Sequence, residues 1–315
     1  MGNGRRSELR GILVPILTPL LPNERVDTAS LRRLVRFLLG AGVHGIWALG
    51  TTGEFAALDA EQRARAASAV VDEVGGRVPV VVNIGDSGTG LALRHAAAAV
   101  EAGADYLALT PPHYFPHSQD ELRTHFEQVK DRFADIPLLA YNIPQTVKVK
   151  LSVDTALTLA VKGIIHGIKD SQNDLQWFRQ LSVAVTAEGL RDEFRMFVGT
   201  RSLIDVSVHV GAHGAVPAVA NVAPAECVAA YQLSLAGDGA AALAAQLQAL
   251  RYEQLAGSAA GGSANAGLLS VMKTVLRHRG VLDTADLTAP LRPLTMAEAR
   301  RVIDEADQLA HQAAP

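Results

Sequence analysis

The residues best suited to chemistry converge on one lysine. Gly163 to Asp170 reads Gly-Ile-Ile-His-Gly-Ile-Lys-Asp, a short apolar run ending in an amine beside a carboxylate. A run of this length, bounded by glycine and polar residues, fits a buried parallel strand. Its last residues emerge at the strand's carboxyl end, where α/β folds bind ligands. Burial disfavours an ammonium ion and lowers the lysine pKa toward the range where a neutral amine attacks a carbonyl. Lys169 is therefore a Schiff-base candidate, and the competing reading is a buried lysine paired with Asp170 for structural reasons. Lysine is scarce: of 29 basic residues only six are lysines, at 130, 148, 150, 162, 169 and 273. Lys130, Lys148, Lys150 and Lys162 fall in polar, helix-terminal or loop positions that read as solvated charge, and only Lys169 ends an apolar strand.

Two further stretches offer complementary groups. Gly50-Thr51-Thr52-Gly53-Glu54 is a tight turn whose glycines let backbone N–H groups and two hydroxyls converge on a small anion such as a carboxylate; alone, such a turn is more often a plain helix-capping loop. Tyr141, leading Asn142-Ile143-Pro144, stands at the end of a strand in the same layer as Lys169. A tyrosine there can pass protons to and from an imine or a substrate hydroxyl, although a lone tyrosine usually just buries its ring and wets its hydroxyl. Pro111 to Pro116, containing His113, Tyr114 and Phe115, reads as a stiff aromatic loop at a pocket or subunit contact. Gly85 to Gly90 lacks the ending of a phosphate loop and reads as a turn with a helix start. The ten histidines are scattered without metal-binding spacing, so no metal and no cofactor is expected.

Positioning these groups requires a large α/β scaffold. Short β-like runs alternate with helical patterns through eight units: strands at 12–17, 44–49, 78–83, 106–110, 137–141, 164–169, 194–198 and 214–217. Helices are expected near 28–39, 60–74, 91–102, 119–133, 153–161, 174–184 and 202–209. Eight βα units with short connections predict a closed (β/α)8 TIM barrel, with Lys169 ending the sixth strand. The alternation then stops, and 223–257, 264–278 and 296–311 read as additional C-terminal helices. The domain reading is a catalytic barrel over 1–222 and a helical extension packed on it over 223–315.

Bulk properties exclude several classes. Over 315 residues, 49% are hydrophobic, 19% charged, and the net charge is −3; no basic stripe suits nucleic acid. The single cysteine, Cys227, permits no internal disulfide and reads as a small core residue. Arg5, Arg6 and Arg10 before the apolar run 11–21 mimic a signal peptide, but Pro15, Pro19 and Pro22 interrupt it, so the run is taken as the first strand. No apolar run is long enough to cross a bilayer, and a cytoplasmic location is expected.

Taken together, these motifs resemble the dihydrodipicolinate synthase and N-acetylneuraminate lyase family of pyruvate-dependent class I aldolases. The resemblance rests on Gly11 to Pro19, Gly50-Thr51-Thr52-Gly53-Glu54, Tyr141-Asn142-Ile143-Pro144, Gly167-Ile168-Lys169-Asp170 and Gly214 to Ala225. It implies that Lys169 forms an imine with pyruvate or another 2-oxo acid. Thr52 and the loop amides around Gly53 would hold the carboxylate, Thr51 and Tyr141 would relay protons, and Gly199 and Val216 would line the site. Tyr114 would complete the relay from a neighbouring subunit, in a homotetramer or at least a homodimer.

Departures from the pattern bear on the second substrate. The arginine that grips aspartate semialdehyde in dihydrodipicolinate synthases aligns with Thr146, and a hydroxyl does not replace a guanidinium fork. The first tyrosine of the family's pair is His113, and Thr200 replaces the usual acidic pair after Gly199. The resemblance therefore implies an aldolase or lyase joining pyruvate to an aldehyde, acting on a 2-oxo acid such as a 2-keto-3-deoxy sugar acid. The alternatives are dihydrodipicolinate synthase itself, should Arg201 reach the site, a dehydratase of such an acid, and a barrel that only binds 2-oxo acids.

Overall fold

The structure, a computed structural model, describes residues 8–313; Arg5 and Arg6 lie outside them. Eight parallel strands close in sequence order: β1 (Gly11–Pro15), β2 (Gly45–Ala48), β3 (Val80–Asn83), β4 (Tyr106–Leu109), β5 (Leu138–Asn142), β6 (Gly167–Asp170), β7 (Arg195–Val198) and β8 (Gly214–Ala215). The seam pairs Gly11 with Gly214. A Cβ on Gly214 would collide with the Gly11 backbone, so the barrel closes glycine against glycine.

The strands read as continuous apolar runs because both faces are covered. Leu13, Trp47, Val81, Ala108, Leu139 and Phe197 pack together with Tyr141 and Val216 in one cluster, the barrel interior. The alternate residues Val14, Ile46, Val80, Leu107, Ala140 and Ile168 belong to the outer layer under the helices. This period of two decides which way each polar residue of a strand points.

The connecting helices are α1 (Thr28–Gly40), α2 (Ala60–Val74), α3 (Thr89–Glu101), α4 (Gln119–Arg132), the single turn α5 (Pro144–Val147), α6 (Val153–Val161) and α7 (Leu175–Ala187). On α1, Leu31, Leu34, Val35 and Leu38 form the buried stripe, each side chain contributing about 1.5–3 kcal/mol on burial. Asp27 starts that helix by accepting from the amides of Ala29 and Ser30, and Ser118 with Glu121 forms a capping box on α4. Beyond the barrel come α8 (Pro224–Leu235), α9 (Gly239–Gln254), α10 (Ala264–His278) and α11 (Met296–Ala313).

Two expectations differ from the structure. The helix expected over 202–209 is a run of turns ending in a 3-10 segment, Val208–Val210. Its backbone is committed elsewhere: the Ile204 amide donates to Gln246 Oε1, and the Arg201 carbonyl accepts from Gln246 Nε2. The run 223–257 is two main helices, broken at Gly237 with φ +83°, a conformation that favours glycine.

Candidate active site

Tyr141 and Lys169 are direct partners across β5 and β6, and both side chains enter the barrel mouth. Asp170, one residue on, goes to the opposite face. There its Oδ1 accepts from Asn142 Nδ2 at 2.7 Å, and burial pushes its carboxyl up to about 7. The structural pairing of Lys169 with Asp170 is therefore not made. Lys169 is instead caged by rings, its Nζ 4.0 Å from the centre of Tyr141 and 4.9 Å from that of Trp47. These ring faces favour a cation, and Tyr141 adds a hydrogen bond. Burial is the larger influence and holds the Lys169 amine below the usual lysine range.

The proton-relay pair expected from the sequence is also close. Thr51 Oγ1 and Tyr141 Oη are 3.2 Å apart. Thr51 belongs to a 3-10 turn, Thr51–Gly53, flanked by left-handed residues, Leu49 at φ +56° and Glu54 at φ +57°. Bulky residues rarely adopt such angles, so the loop is held there by its surroundings. Thr18 Oγ1 donates to the Gly53 carbonyl at 2.7 Å, and a Cβ on Gly53 would come within 3.2 Å of that hydroxyl and 3.1 Å of the Ile16 carbonyl. The first two amides of the turn, Thr51 and Thr52, precede its internal bonding.

Thr51, Thr52, Tyr141, Lys169, Gly199 and Val216 all line one cavity of about 790 Å3. Gly199 has a steric reason to be glycine, since a Cβ there would run into Ser171 Oγ and approach Lys169 Cε to 3.0 Å. Gly53 is buried behind the cavity wall as the loop's anchor. Tyr114 is absent from the cavity of its own chain: it is 81% exposed, with φ +87°, and stacks edge-to-face on the 64% exposed Phe115. Its neighbour His113 does reach the wall.

Several wall residues had no signal in the motif reading. Leu250 and Glu253 of α9, Asn265 and Leu268 of α10, and Thr288 also line the cavity. Glu54, read only as the end of its loop, is the most tightly held of all. Its Oε1 takes the ammonium of Lys273 at 2.5 Å, while its Oε2 accepts from the amide and hydroxyl of Thr288 at 2.7 and 2.9 Å. Lys273 is fully buried, so Lys169 is one of two buried lysines. Thr146 lines the cavity where the carboxylate-gripping arginine would stand, and Arg201 lines it as well, ion-paired through Nε to Glu253.

This arrangement, a caged amine of lowered pKa beside a tyrosine–threonine pair at the mouth of a barrel, suits imine chemistry on a small oxo acid. A model of the dihydrodipicolinate synthetase family matches residues 8–309. The chain belongs to that family. A DapA-like lyase of Halobacterium salinarum is 35% identical over 293 residues, covering 93% of this chain and 91% of the relative. A 4-hydroxy-tetrahydrodipicolinate synthase of Methylobacterium radiotolerans is 34% identical over 301 residues, 95% of each chain. Among solved structures, YagE, a prophage protein of the dihydrodipicolinic acid synthase family from Escherichia coli K12 crystallised with pyruvate, superposes with a TM-score of 0.87 at 27% identity, covering 96% of this chain and 99% of its own. The protein is thus an enzyme of the dihydrodipicolinate synthetase family, an aldolase-type lyase working through a lysine Schiff base. Among the described residues no helix is long and apolar enough to cross a membrane.

Proposed function

We propose that this chain is a pyruvate-dependent class I aldolase whose Schiff-base lysine is Lys169, and that it makes or cleaves a hydroxylated 2-oxo acid of the 2-keto-3-deoxy sugar acid type. The observation that carries the reading is the conjunction of a buried amine, Tyr141 stacked against it, and Thr51 within 3.2 Å of the tyrosine hydroxyl. The neutral amine attacks the C2 carbonyl of the oxo acid. Protons delivered through Tyr141 convert the carbinolamine oxygen to water, which leaves. In cleavage, the substrate's C4 hydroxyl loses its proton, the C3–C4 bond breaks, and its electron pair flows into the iminium as an enamine. The aldehyde departs, the enamine carbon takes up a proton, and water releases pyruvate and the free amine. Condensation is the same path reversed.

In this reading Thr52 and the amides around Gly53 bind the carboxylate, with the 3-10 turn's free N–H groups as donors. Gly199 leaves room for the lysine chain, and Val216 forms an apolar wall. Tyr114 serves a neighbouring subunit: its exposure and its left-handed backbone fit a side chain presented outward. The assembly is then a homotetramer, or at least a homodimer in which each site is completed by its partner copy. Helices α9 and α10 contribute wall residues, so the segment after residue 222 acts as part of the catalytic unit.

The second reading is dihydrodipicolinate synthase proper, favoured by Arg201 lining the cavity. Against it stand Thr146 and the engagement of Arg201 by Glu253. The test is to supply 2-keto-3-deoxy sugar acids and follow pyruvate release, in parallel with condensation of pyruvate and aspartate semialdehyde. Pyruvate release with little consumption of the semialdehyde is expected. The opposite pattern would establish the second reading.

A further inference from the structure

The charges around the cavity are accounted for in pairs. Four acidic or basic side chains other than histidine line it among the described residues: Glu54, Lys169, Arg201 and Glu253. Glu54 is taken by Lys273, and Glu253 by Arg201. This leaves the Lys169 amine, at the pyruvate end, as the one without an ionic partner. The rest of the wall therefore offers a single guanidinium, which Glu253 holds through Nε. Around it stand hydroxyls and an amide, Thr146, Thr200, Ser202 and Asn265, with Thr200 Oγ1 and Ser202 Oγ 3.0 Å apart.

The Arg201–Glu253 pair is built rather than incidental. Gln246, itself buried on the same helix α9, donates to the Arg201 carbonyl at 2.8 Å and accepts the Ile204 amide at 2.9 Å, fixing the turn that carries Arg201 against that helix. Glu253 is half-buried, and burial pushes its carboxyl up despite the guanidinium beside it. Its second oxygen, Oε2, is buried with no hydrogen-bond partner among the described residues. An orphaned carboxylate oxygen costs stability, so a role in stability alone does not account for a carboxylate at this place.

We infer that Glu253 is a specificity determinant that offsets the charge of Arg201 in the cavity wall, and that the site thereby selects an uncharged, hydroxylated aldehyde over a carboxylate-bearing one. The inference rests on the aldolase reading above and names the class of its second substrate. The selection is by a repulsive element: an incoming carboxylate meets the Glu253 charge beside a guanidinium that Glu253 already holds through Nε. An aldehyde bearing hydroxyls meets donors and acceptors that need no ion pair to open.

The test uses the intact protein, with pyruvate and either D-glyceraldehyde or succinic semialdehyde as the aldehyde. The readout is the ratio of kcat/KM for the two aldehydes in wild type, Glu253→Gln, Arg201→Met and the double variant, with Glu253→Ala replacing Glu253→Gln if the latter does not fold. Borohydride trapping of pyruvate is run on each protein. Wild type is expected to favour glyceraldehyde. Glu253→Gln is expected to shift the ratio toward the semialdehyde by roughly tenfold, the scale of freeing one charged hydrogen-bonding group, and the double variant to lose that shift. A ratio changed by less than about twofold in Glu253→Gln, a shift that survives in the double variant, or a wild type favouring the semialdehyde would each overturn the inference while leaving the aldolase reading standing. Failure of wild type to trap pyruvate at all would instead remove the aldolase reading, and this inference with it.

Discussion

Lys273 Nζ lies 2.5 Å from Glu54 Oε1, with side chains 0% and 1% exposed, joining the loop after β2 to helix α10 across 219 residues of sequence. The ammonium also donates to the Asp286 carbonyl at 2.7 Å, and Thr288 covers the second carboxylate oxygen. The hydrogen-bonding partners of the Glu54 side chain come from the C-terminal segment, while its own backbone sits in the left-handed conformation that ends the Thr51–Gly53 turn. The loop after β2 is thus clamped from behind by α10 and the segment that follows it.

Replacing Lys273 with Met removes one partner and leaves Glu54 buried and uncompensated. A loss of about 3–5 kcal/mol is expected, measured by denaturant unfolding. Because Lys273 holds the loop without itself lining the cavity, the protein that remains folded should show a raised KM for pyruvate with a smaller change in kcat. Glu54→Gln keeps an acceptor for Thr288 and should be milder in both.

Removing the Tyr141 hydroxyl in Tyr141→Phe leaves the ring beside Lys169 and takes away the proposed proton carrier. A fall in kcat of roughly 10²–10⁴-fold is expected, with borohydride trapping of pyruvate slowed but still at Lys169. Thr51→Val, one step further along the relay, should lower kcat less. A Tyr141→Phe enzyme of wild-type kcat would take Tyr141 out of the proton path.

The depressed pKa of Lys169 has opposite consequences for rate and stability. Imine formation needs the neutral amine, so its rate should climb with pH and level off above the lowered pKa. The unfolded chain carries lysine at its ordinary value of 10.5, so between the two values the unfolded state binds more protons and stability rises with pH. Lys169→Met abolishes this difference. It should be more stable than wild type at neutral pH, with the gap closing as pH approaches 10.5, as thermal melts across that range would report. Asp170 has the reverse sign: with its carboxyl raised from 3.8 to about 7, it should lower stability as pH climbs through that window, and Asp170→Asn should flatten this slope.

If Tyr114 works across a subunit contact, two inactive proteins should complement each other. Lys169→Ala retains Tyr114, and Tyr114→Phe retains Lys169. Dissociating and reassembling a mixture of the two should recover part of the wild-type activity, because some sites then combine an intact lysine with an intact tyrosine. A mixture no more active than its parents would place Tyr114 outside the reaction.

Much of the scaffold was legible because barrel strands are buried on both faces and announce themselves as short apolar runs. Lys169 stood out as a charge ending such a run, and Tyr141 as its neighbour at the same level. The 202–209 segment misled because its apolar residues suit a helix, whereas Gln246, some forty positions away, claims its backbone groups. Glu54 and Lys273 were hidden for the same reason. Lys273 interrupts the apolar stretch from Val271 to Leu276, which is a visible signal of a buried charge, but nothing local says which carboxylate meets it. The distal wall was unreadable because three separate segments build it, and Arg201 gains its meaning only from Glu253.

Everything proposed for the site depends on an imine at Lys169. It is probed by borohydride reduction in the presence of pyruvate, followed by peptide mass spectrometry. A pyruvate-sized adduct is expected on the peptide containing Lys169, and none in Lys169→Ala. No adduct, or an adduct on Lys273 or another lysine, would contradict it.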